Sequence, residues 1–450
     1  MTLPAGTVFI ESAPRFSAMT TPYYFHPDAP DEIPALAARA GDLVFFGGGI
    51  AAHPHAGVPD SVHPMQGYPH HWSRINRELE VVYGVMGRVF EAAGTNLHRI
   101  MKLNTYLRDP QDSYEALRVR KDYFGVETPP PSTLVVAPGL PVKDARVTTD
   151  AVALVEGAQN DRTAMTTSTP NAPMPPHERI WGYRIYSKAT RGGGFLFTAG
   201  RTNNLIAGNA DRRSVGHPDY PYRDDKPIVA TELILEYLGS ILEGYGADWE
   251  HVVRAEIHIS DAGLISGIDE VWRRTFPGEP PARVFVPVNY PTDYTIIEIE
   301  LIAVDPDGPF RKETITIPEF DAPVGHEPHA VKAGPLLFFS GQLATDWKHG
   351  VAIEARVDPD FPHFESAVKK QTRYILDRAE RICTAAGASM TNLVRRKAMY
   401  LDLTDLGAAE SVWREVLKDR VPPTTTFKVL DALPVPGCLM QYDLIAGIES

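Results

Sequence analysis

The chain has 450 residues, 43% of them hydrophobic and 22% charged, and a formal net charge of −13. Such a composition excludes a disordered chain, and the acidic balance argues against non-specific binding to nucleic acid or to an anionic membrane, which needs a basic surface. The two cysteines, Cys383 and Cys438, exclude a disulfide framework or a zinc–cysteine cluster within the chain and fit a reducing compartment.

The N-terminal MTLPAGTVFIESAPRF has no basic leader, and no run reaches the roughly 18 apolar residues of a membrane helix, so a cytoplasmic protein is expected. Length alone allows about three domains.

Three stretches share one register: GTNLHRIMKLNTYLRD from Gly94, GADWEHVVRAEIHISD from Gly246 and GASMTNLVRRKAMYLD from Gly387. Each has a base at the same offset (Lys102, Arg254, Arg395) and an aspartate at its end (Asp109, Asp261, Asp402). Asp109 and Asp261 are 152 residues apart, and Asp261 and Asp402 are 141 apart. A period this long means repeated whole domains rather than a solenoid of small units. The three bases are expected to pair at the strand end with the aspartates that follow them.

In chain order, the first unit opens with a strand at 7–10 and a proline-rich loop over 12–32. A strand, a tight turn at Gly41-Asp42 and a second strand follow over 35–49, with counterparts at 186–200 and 329–341. Gly-Gly-Gly at 47–49 and 192–194 reads as hairpin turns. Helices are predicted at 73–93, 228–245 and 364–386, each ending near a marker glycine, a good C-cap residue. The marker strand comes next. In the second copy Ala255, Ile257 and Ile259 alternate with Glu256, His258 and Ser260.

Second helices are predicted at 112–124, 265–276 and 405–418. Prolines then break the chain before two closing strands, at 133–137 and 146–155, 283–288 and 295–304, and 425–430 and 439–447. The order per unit is β-β-β-α-β-α-β-β. The boundaries read 1–157, 175–305 and 312–450, with linkers at 157–178 and 305–312.

The segments PPAR (280–283), IIEIELIAV (296–304) and SGQ (340–342), with the marker strand and its aspartate, resemble the Rid family, also called YjgF/YER057c/UK114. The resemblance covers all three units. It implies an α+β fold of three chorismate-mutase-like domains. Family members are homotrimers with ligand clefts between subunits, so three units in one chain imply an intramolecular pseudo-trimer, with room for a further homodimer.

The resemblance places a carboxylate-binding arginine at Arg283 and a water-positioning or activating glutamate at Glu298. Glu300 lies on the same strand face. A guanidinium stays charged and offers a planar fork that suits a carboxylate, in a bond worth roughly 1.5–3 kcal/mol. The bland alternatives are an arginine paired with a neighbouring acid and a glutamate serving as a strand charge. The matching positions are Ser132 and Thr425 for the arginine, Thr148 and Gln441 for the glutamate, so only the second unit retains both. Ser132, Thr425 and Gln441 would line secondary clefts. Tyr186 matches the family's cleft tyrosine, and the same count gives Glu327 in the third unit. Phe285 stands where relatives often have a cysteine, which makes that wall apolar.

His53, His55, His63, His70 and His71 crowd one Pro/Gly loop, but without a helical pair of ligands they read as loop residues rather than a metal site. Aromatic–proline–aromatic pieces at 68–70, 220–222 and 361–363 read as loop packing. The resemblance implies a cofactor-free and metal-free hydrolase of a C–N bond, an imine or enamine deaminase acting on a small carboxylate. The rival readings are a non-catalytic binding module for such a metabolite, or a pathway hydrolase using another cleft.

Overall fold

The structure, a computed structural model, describes residues 23–24, 35–52, 57–63, 67, 73–125, 127–166, 186–204, 212–215, 219–220, 223–418 and 420–448. The strand expected at 7–10 and the histidines His53, His55, His70 and His71 lie outside them.

The first unit runs β1 (Tyr23–Tyr24), β2 (Ala37–Ala40), β3 (Leu43–Ile50), α1 (Arg74–Ala92), β4 (Ile100–Leu107), α2 (Ser113–Phe124), β5 (Ser132–Val136) and β6 (Val147–Leu154). The second runs β7 (Thr163–Met165), β8 (Ala189–Gly192), β9 (Phe195–Thr198), β10 (Arg201–Thr202), α3 (Arg212–Val215), α4 (Lys226–Gly244), β11 (Val252–Ile259), α5 (Ile265–Thr275), β12 (Ala282–Pro287) and β13 (Ile297–Val304). The third runs β14 (Lys312–Ile315), β15 (Ala330–Ala333), β16 (Leu336–Phe339), α6 (Ala367–Ala386), β17 (Ala388–Tyr400), α7 (Leu406–Leu417), β18 (Thr424–Lys428) and β19 (Met440–Ile448).

The three sheets share one strand order: β1-β2-β3-β6-β4-β5, β7-β8-β9-β13-β11-β12 and β14-β15-β16-β19-β17-β18. In each, the strands flanking the second helix are parallel and the rest antiparallel. The predicted order of elements is found in the second and third units, with two short extra elements, β10 and α3, in the second; in the first unit the strand paired with β2 is Tyr23–Tyr24, inside the stretch read as a proline-rich loop. One boundary differs: β7 pairs with β8, so residues read as linker belong to the second sheet.

The markers have local causes. Gly94, Gly246 and Gly387 have φ of 77°, 72° and 70°, the left-handed region where only glycine is unstrained. Asp109, Asp261 and Asp402 accept hydrogen bonds from the backbone N–H of Gln111, Gly263 and Thr404, capping the short turn before the second helix. The aspartates are therefore caps, not partners of the marker bases.

One face of each sheet packs against its own helices. Ala255, Ile257 and Ile259 join Ile234, Leu238 and Trp272 there. The opposite faces meet each other in a shared cluster that takes Phe45, Met101 and Val152 from the first unit, Phe197, Val253 and Ile302 from the second, and Phe338, Val394 and Ile445 from the third. Equivalent positions thus converge on one pseudo-threefold axis. Backbone bonds also bridge every pair of units: Val136 with Asn289, Lys428 N–H to Gly139 O, and Leu430 N–H to Pro287 O. Gly47 and Gly48 are not a hairpin turn. They run within β3, where a Cβ on Gly48 would come 2.5 Å from Thr424 O of the third unit.

Beside the apolar cluster lies a buried layer of charge, and the marker bases sit in it. Lys102 meets Glu300 at 2.9 Å, Arg254 meets Asp443 at 2.6 Å, and Lys397 meets Glu256 at 2.7 Å, each across a unit boundary. Burial by itself would raise the Glu256 carboxyl, but Lys397, His258 and Arg254 outweigh it and hold the group well below the usual carboxylate range. Alternation in the marker strand therefore separates a helix-facing side from an inter-unit side, both buried.

Removing one partner of such a pair strands a buried charge. Lys397→Met is expected to cost roughly 3–5 kcal/mol, against about 1 kcal/mol for Asp261→Ala at an exposed cap. Urea unfolding of the two variants checks the order.

Candidate functional site

Each unit offers two different edges to its neighbours. The start of its parallel edge strand (Ser132, Arg283 or Thr425) faces one way. The glycine after its second hairpin strand (Gly48, Gly200 or Gly341) and the central position on its last strand face the other. The N–H of Gly200 donates to Ser132 O at 3.1 Å, and that of Gly341 to Arg283 O at 3.0 Å. The N–H of Gly48 donates to Thr425 Oγ1 at 3.1 Å. Three inter-unit seams follow: first–second, second–third and third–first; the cavity described below opens at the second–third.

This geometry separates the two residues expected to act together. Arg283 opens into the second–third cleft, opposite Gln441. Glu298 lies at the first–second seam, where Gly200 stands between it and Thr133. Arginine and glutamate of one unit belong to different clefts because they lie at opposite edges of that unit.

The second–third cleft has a volume of about 840 Å³ and is lined by residues that include Arg283, Phe285, Glu327, Leu343, Trp347 and Gln441. The Arg283 side chain is fully buried. Its Nε donates to Glu327 of the third unit and its Nη2 to Asp269 on α5. The guanidinium lies over the Phe285 and Trp272 rings, 4.9 and 5.6 Å from their centroids. Nη1 is buried without a partner. Asp269 also accepts from the His326 N–H and pairs with Arg273, both at 2.8–2.9 Å. Burial would raise Asp269, but the His326 N–H and the Arg283 charge outweigh it and hold the carboxyl low. Gln441 Nε2 donates to Phe285 O at 2.8 Å. The bland reading of Arg283, pairing with neighbouring acids, thus describes its state here.

In the first–second cleft Glu298 is buried, 5% exposed. No described side chain hydrogen-bonds its carboxylate. A Cβ on Gly200 would sit 2.0 Å from Glu298 Oε1 and 2.4 Å from Thr133 Oγ1, so this approach requires glycine. His258 lies directly across the ladder from Glu298. Burial pushes the Glu298 carboxyl up to about 7; His258 and Lys102 pull it down, while Glu300 and Glu256 push it further up.

Ser132 accepts from Arg120 Nη1, and Arg120 Nη2 donates to Thr105 Oγ1 at 2.8 Å. Arg120 is buried, and burial lowers it; Tyr83 and Glu298 raise it. An arginine on α2 thus brings positive charge to the cleft that holds the glutamate. Sequence reading missed it. The available signal was the count from the marker aspartate, which sets Arg120 level with Trp272 and Trp413.

The remaining expected residues fall as follows. Glu300 is paired with Lys102 and accepts from Thr133 Oγ1 at 2.5 Å, so it is an inter-unit ion-pair partner rather than a free ligand group. Tyr186 is 37% exposed and lies outside the lining of the second–third cavity; the matching position there is Glu327. Thr425 is fully buried against the Gly48 N–H. Among the described residues no group of three or more His, Cys, Asp or Glu could hold a metal, and no helix is long and apolar enough to cross a membrane.

Residues 178–305 and 319–448, more than half of the chain, match the family model described as endoribonuclease L-PSP. The chain belongs to that family, the Rid/YjgF family, and its three units carry the Rid-type fold. A relative from Myxococcus xanthus, protein DfrA, is 38% identical over 77 residues, 17% of this chain and 59% of that protein. Reactive Intermediate Deaminase A, chloroplastic, of Arabidopsis thaliana is 36% identical over 139 residues, 31% of this chain and 67% of that one. The solved RidA of an Antarctic Psychrobacter is 27% identical and covers 30% of this chain and 99% of its own, with a TM-score of 0.25.

A carboxyl that keeps its proton in the folded chain up to about 7, against 4.5 when free, makes folding less favourable as pH rises through that window. Its full effect is on the order of 3 kcal/mol. Glu298→Gln removes it. The variant is expected to match the wild type in melting temperature at pH 5 and to exceed it at pH 8, measured by calorimetry at both.

Proposed function

We propose that the chain hydrolyses the C=N bond of a small imine or enamine in the cleft between its first and second units, releasing ammonia. The observation that carries this reading is Glu298: a buried carboxyl with no side-chain partner, at the first–second seam, whose proton affinity lies near neutrality. A group so tuned both accepts and returns a proton at physiological pH.

The steps balance without a cofactor. Glu298 takes a proton as water oxygen bonds to the iminium carbon, and the C=N electron pair moves to nitrogen. The proton then returns to nitrogen; as the C–N bond breaks, the oxygen forms the carbonyl and gives its remaining proton to Glu298, and a carbonyl compound and ammonia leave. The Ser132 hydroxyl, accepting from Arg120, is free to donate its own proton to an acceptor on the substrate. Arg120 thereby replaces the expected anchoring by Arg283. Family membership and the name of the Arabidopsis relative support the reaction class.

A second reading rests on the second–third cleft. It is open, but Gln441 stands where an acid would be needed, and the Nε and Nη2 of Arg283 are already paired. That arrangement suits binding rather than catalysis.

The test supplies imines generated in situ by oxidases from amino acids and from uncharged amines, and measures ammonia release. Glu298→Gln is expected to lower kcat by about 10²–10⁴, while Glu327→Gln leaves it unchanged. Undiminished release by the Glu298 variant refutes the assignment, and loss in the Glu327 variant alone moves the chemistry to the other cleft.

A further inference from the structure

The second–third cleft has a feature that its arginine would not suggest. Arg283 borders the cavity, but the third unit's loop around Gly325 lies against its Nη2 edge. A Cβ on Gly325 would come 2.4 Å from Arg283 Nη2 and 3.0 Å from Glu327 Oε2, so the backbone there lies directly over the guanidinium. Two carboxylates already hold its Nε and Nη2. A carboxylate ligand would have to share one cation with Glu327 and Asp269, and like charges packed at a single site repel.

Arg283 Nη1 has no partner, and the other groups left unpaired on the wall are of another kind. Glu327 binds Arg283 through Oε2, which leaves Oε1 as an acceptor. Gln441 uses Nε2 on Phe285 O, which leaves its Oε1 as a second acceptor. Trp347 lines the same wall with an indole N–H that no described residue accepts, and its φ of 62° is a conformation that a bulky side chain adopts only under constraint. Phe285 and Leu343 provide apolar surface. The wall therefore offers acceptors, a donor and flat apolar contact, beside a cation already shared by two carboxylates.

We infer that this cleft is a second ligand site, and that Glu327 makes it select an uncharged planar group carrying both N–H and C=O, such as an amide, lactam or cyclic ureide, over a carboxylate. The ligand N–H donates to Gln441 or Glu327, and its C=O accepts from Trp347. Glu327 is the specificity-determining residue, because it stands where the second unit has Tyr186 and closes the arginine with a matched charge. The inference concerns a different cleft from the proposed catalysis and stands without it.

The experiment titrates the full chain by calorimetry with 2-pyrrolidinone and uracil as neutral probes, and with 2-oxobutanoate and benzoate as carboxylates. The wild type is expected to bind a neutral probe at least tenfold more tightly than either carboxylate. Glu327→Ala uncovers the guanidinium and is expected to reverse that order. Glu327→Gln keeps the shape, removes the charge and should shift the preference the same way by a smaller factor. Gln441→Leu should weaken the neutral probe alone. Wild-type binding of a carboxylate as tight as that of the neutral probes overturns the inference, as does wild-type binding of neither class. A preference unmoved in both Glu327 variants overturns the role given to that residue.

Discussion

Four buried cations, Lys102, Arg254, Arg395 and Lys397, face the carboxylates Asp150, Glu256, Glu300 and Asp443 on the inner faces of the three sheets. Lys102–Glu300, Arg254–Asp443, Lys397–Glu256 and Lys397–Asp150 cross from unit to unit, while Arg254–Glu256 and Arg395–Asp443 close within one, so a unit taken alone would leave part of this layer unpaired. Separating the units would put charges with their solvation lost into an incomplete setting, which is expensive in a low-dielectric interior. The apolar cluster on the axis supplies adhesion. The charged layer decides which surface meets which, because an apolar face tolerates sliding and a paired charge does not.

That fixed order of units gives the clefts their character. Each cleft takes a strand edge from one unit and a glycine with a last-strand side chain from the next. In a trimer of identical chains the three clefts must be alike. Here the first–second seam holds glutamate beside a relocated arginine, the second–third holds a clamped arginine beside glutamine, and at the third–first Thr425 accepts from the Gly48 N–H. Glu298 borders the charged layer through His258, its cross-strand partner, and through Lys102. The feature that joins the units thus also sets the electrostatic surroundings of the catalytic candidate.

Most of the fold was legible because its signals are local. Gly94, Gly246 and Gly387 end helices with a backbone conformation that disfavours other residues. Asp109, Asp261 and Asp402 cap turns within two residues of themselves. The reading erred where the local signal had a distant cause. The bases at a constant offset from those aspartates suggested a short-range pair, but Lys102 and Arg254 reach acids on other units. Gly47 and Gly48 suggested a turn, but they make room for another unit's backbone.

The amino-acid order by itself determined that there are three units, which elements each contains, and which side chains stand at equivalent places, since helix caps, strand alternation and turn glycines act over a few residues. It also showed that only the second unit keeps both an arginine and a glutamate at the expected positions. Only the tertiary structure decided that these two face different neighbours, that Glu327 closes over Arg283, and that Arg120 stands behind Ser132. Those are relations between edges brought together by folding, between residues 44 or more positions apart in the case of Arg283 and Glu327. No periodicity along a chain records which edge will face which.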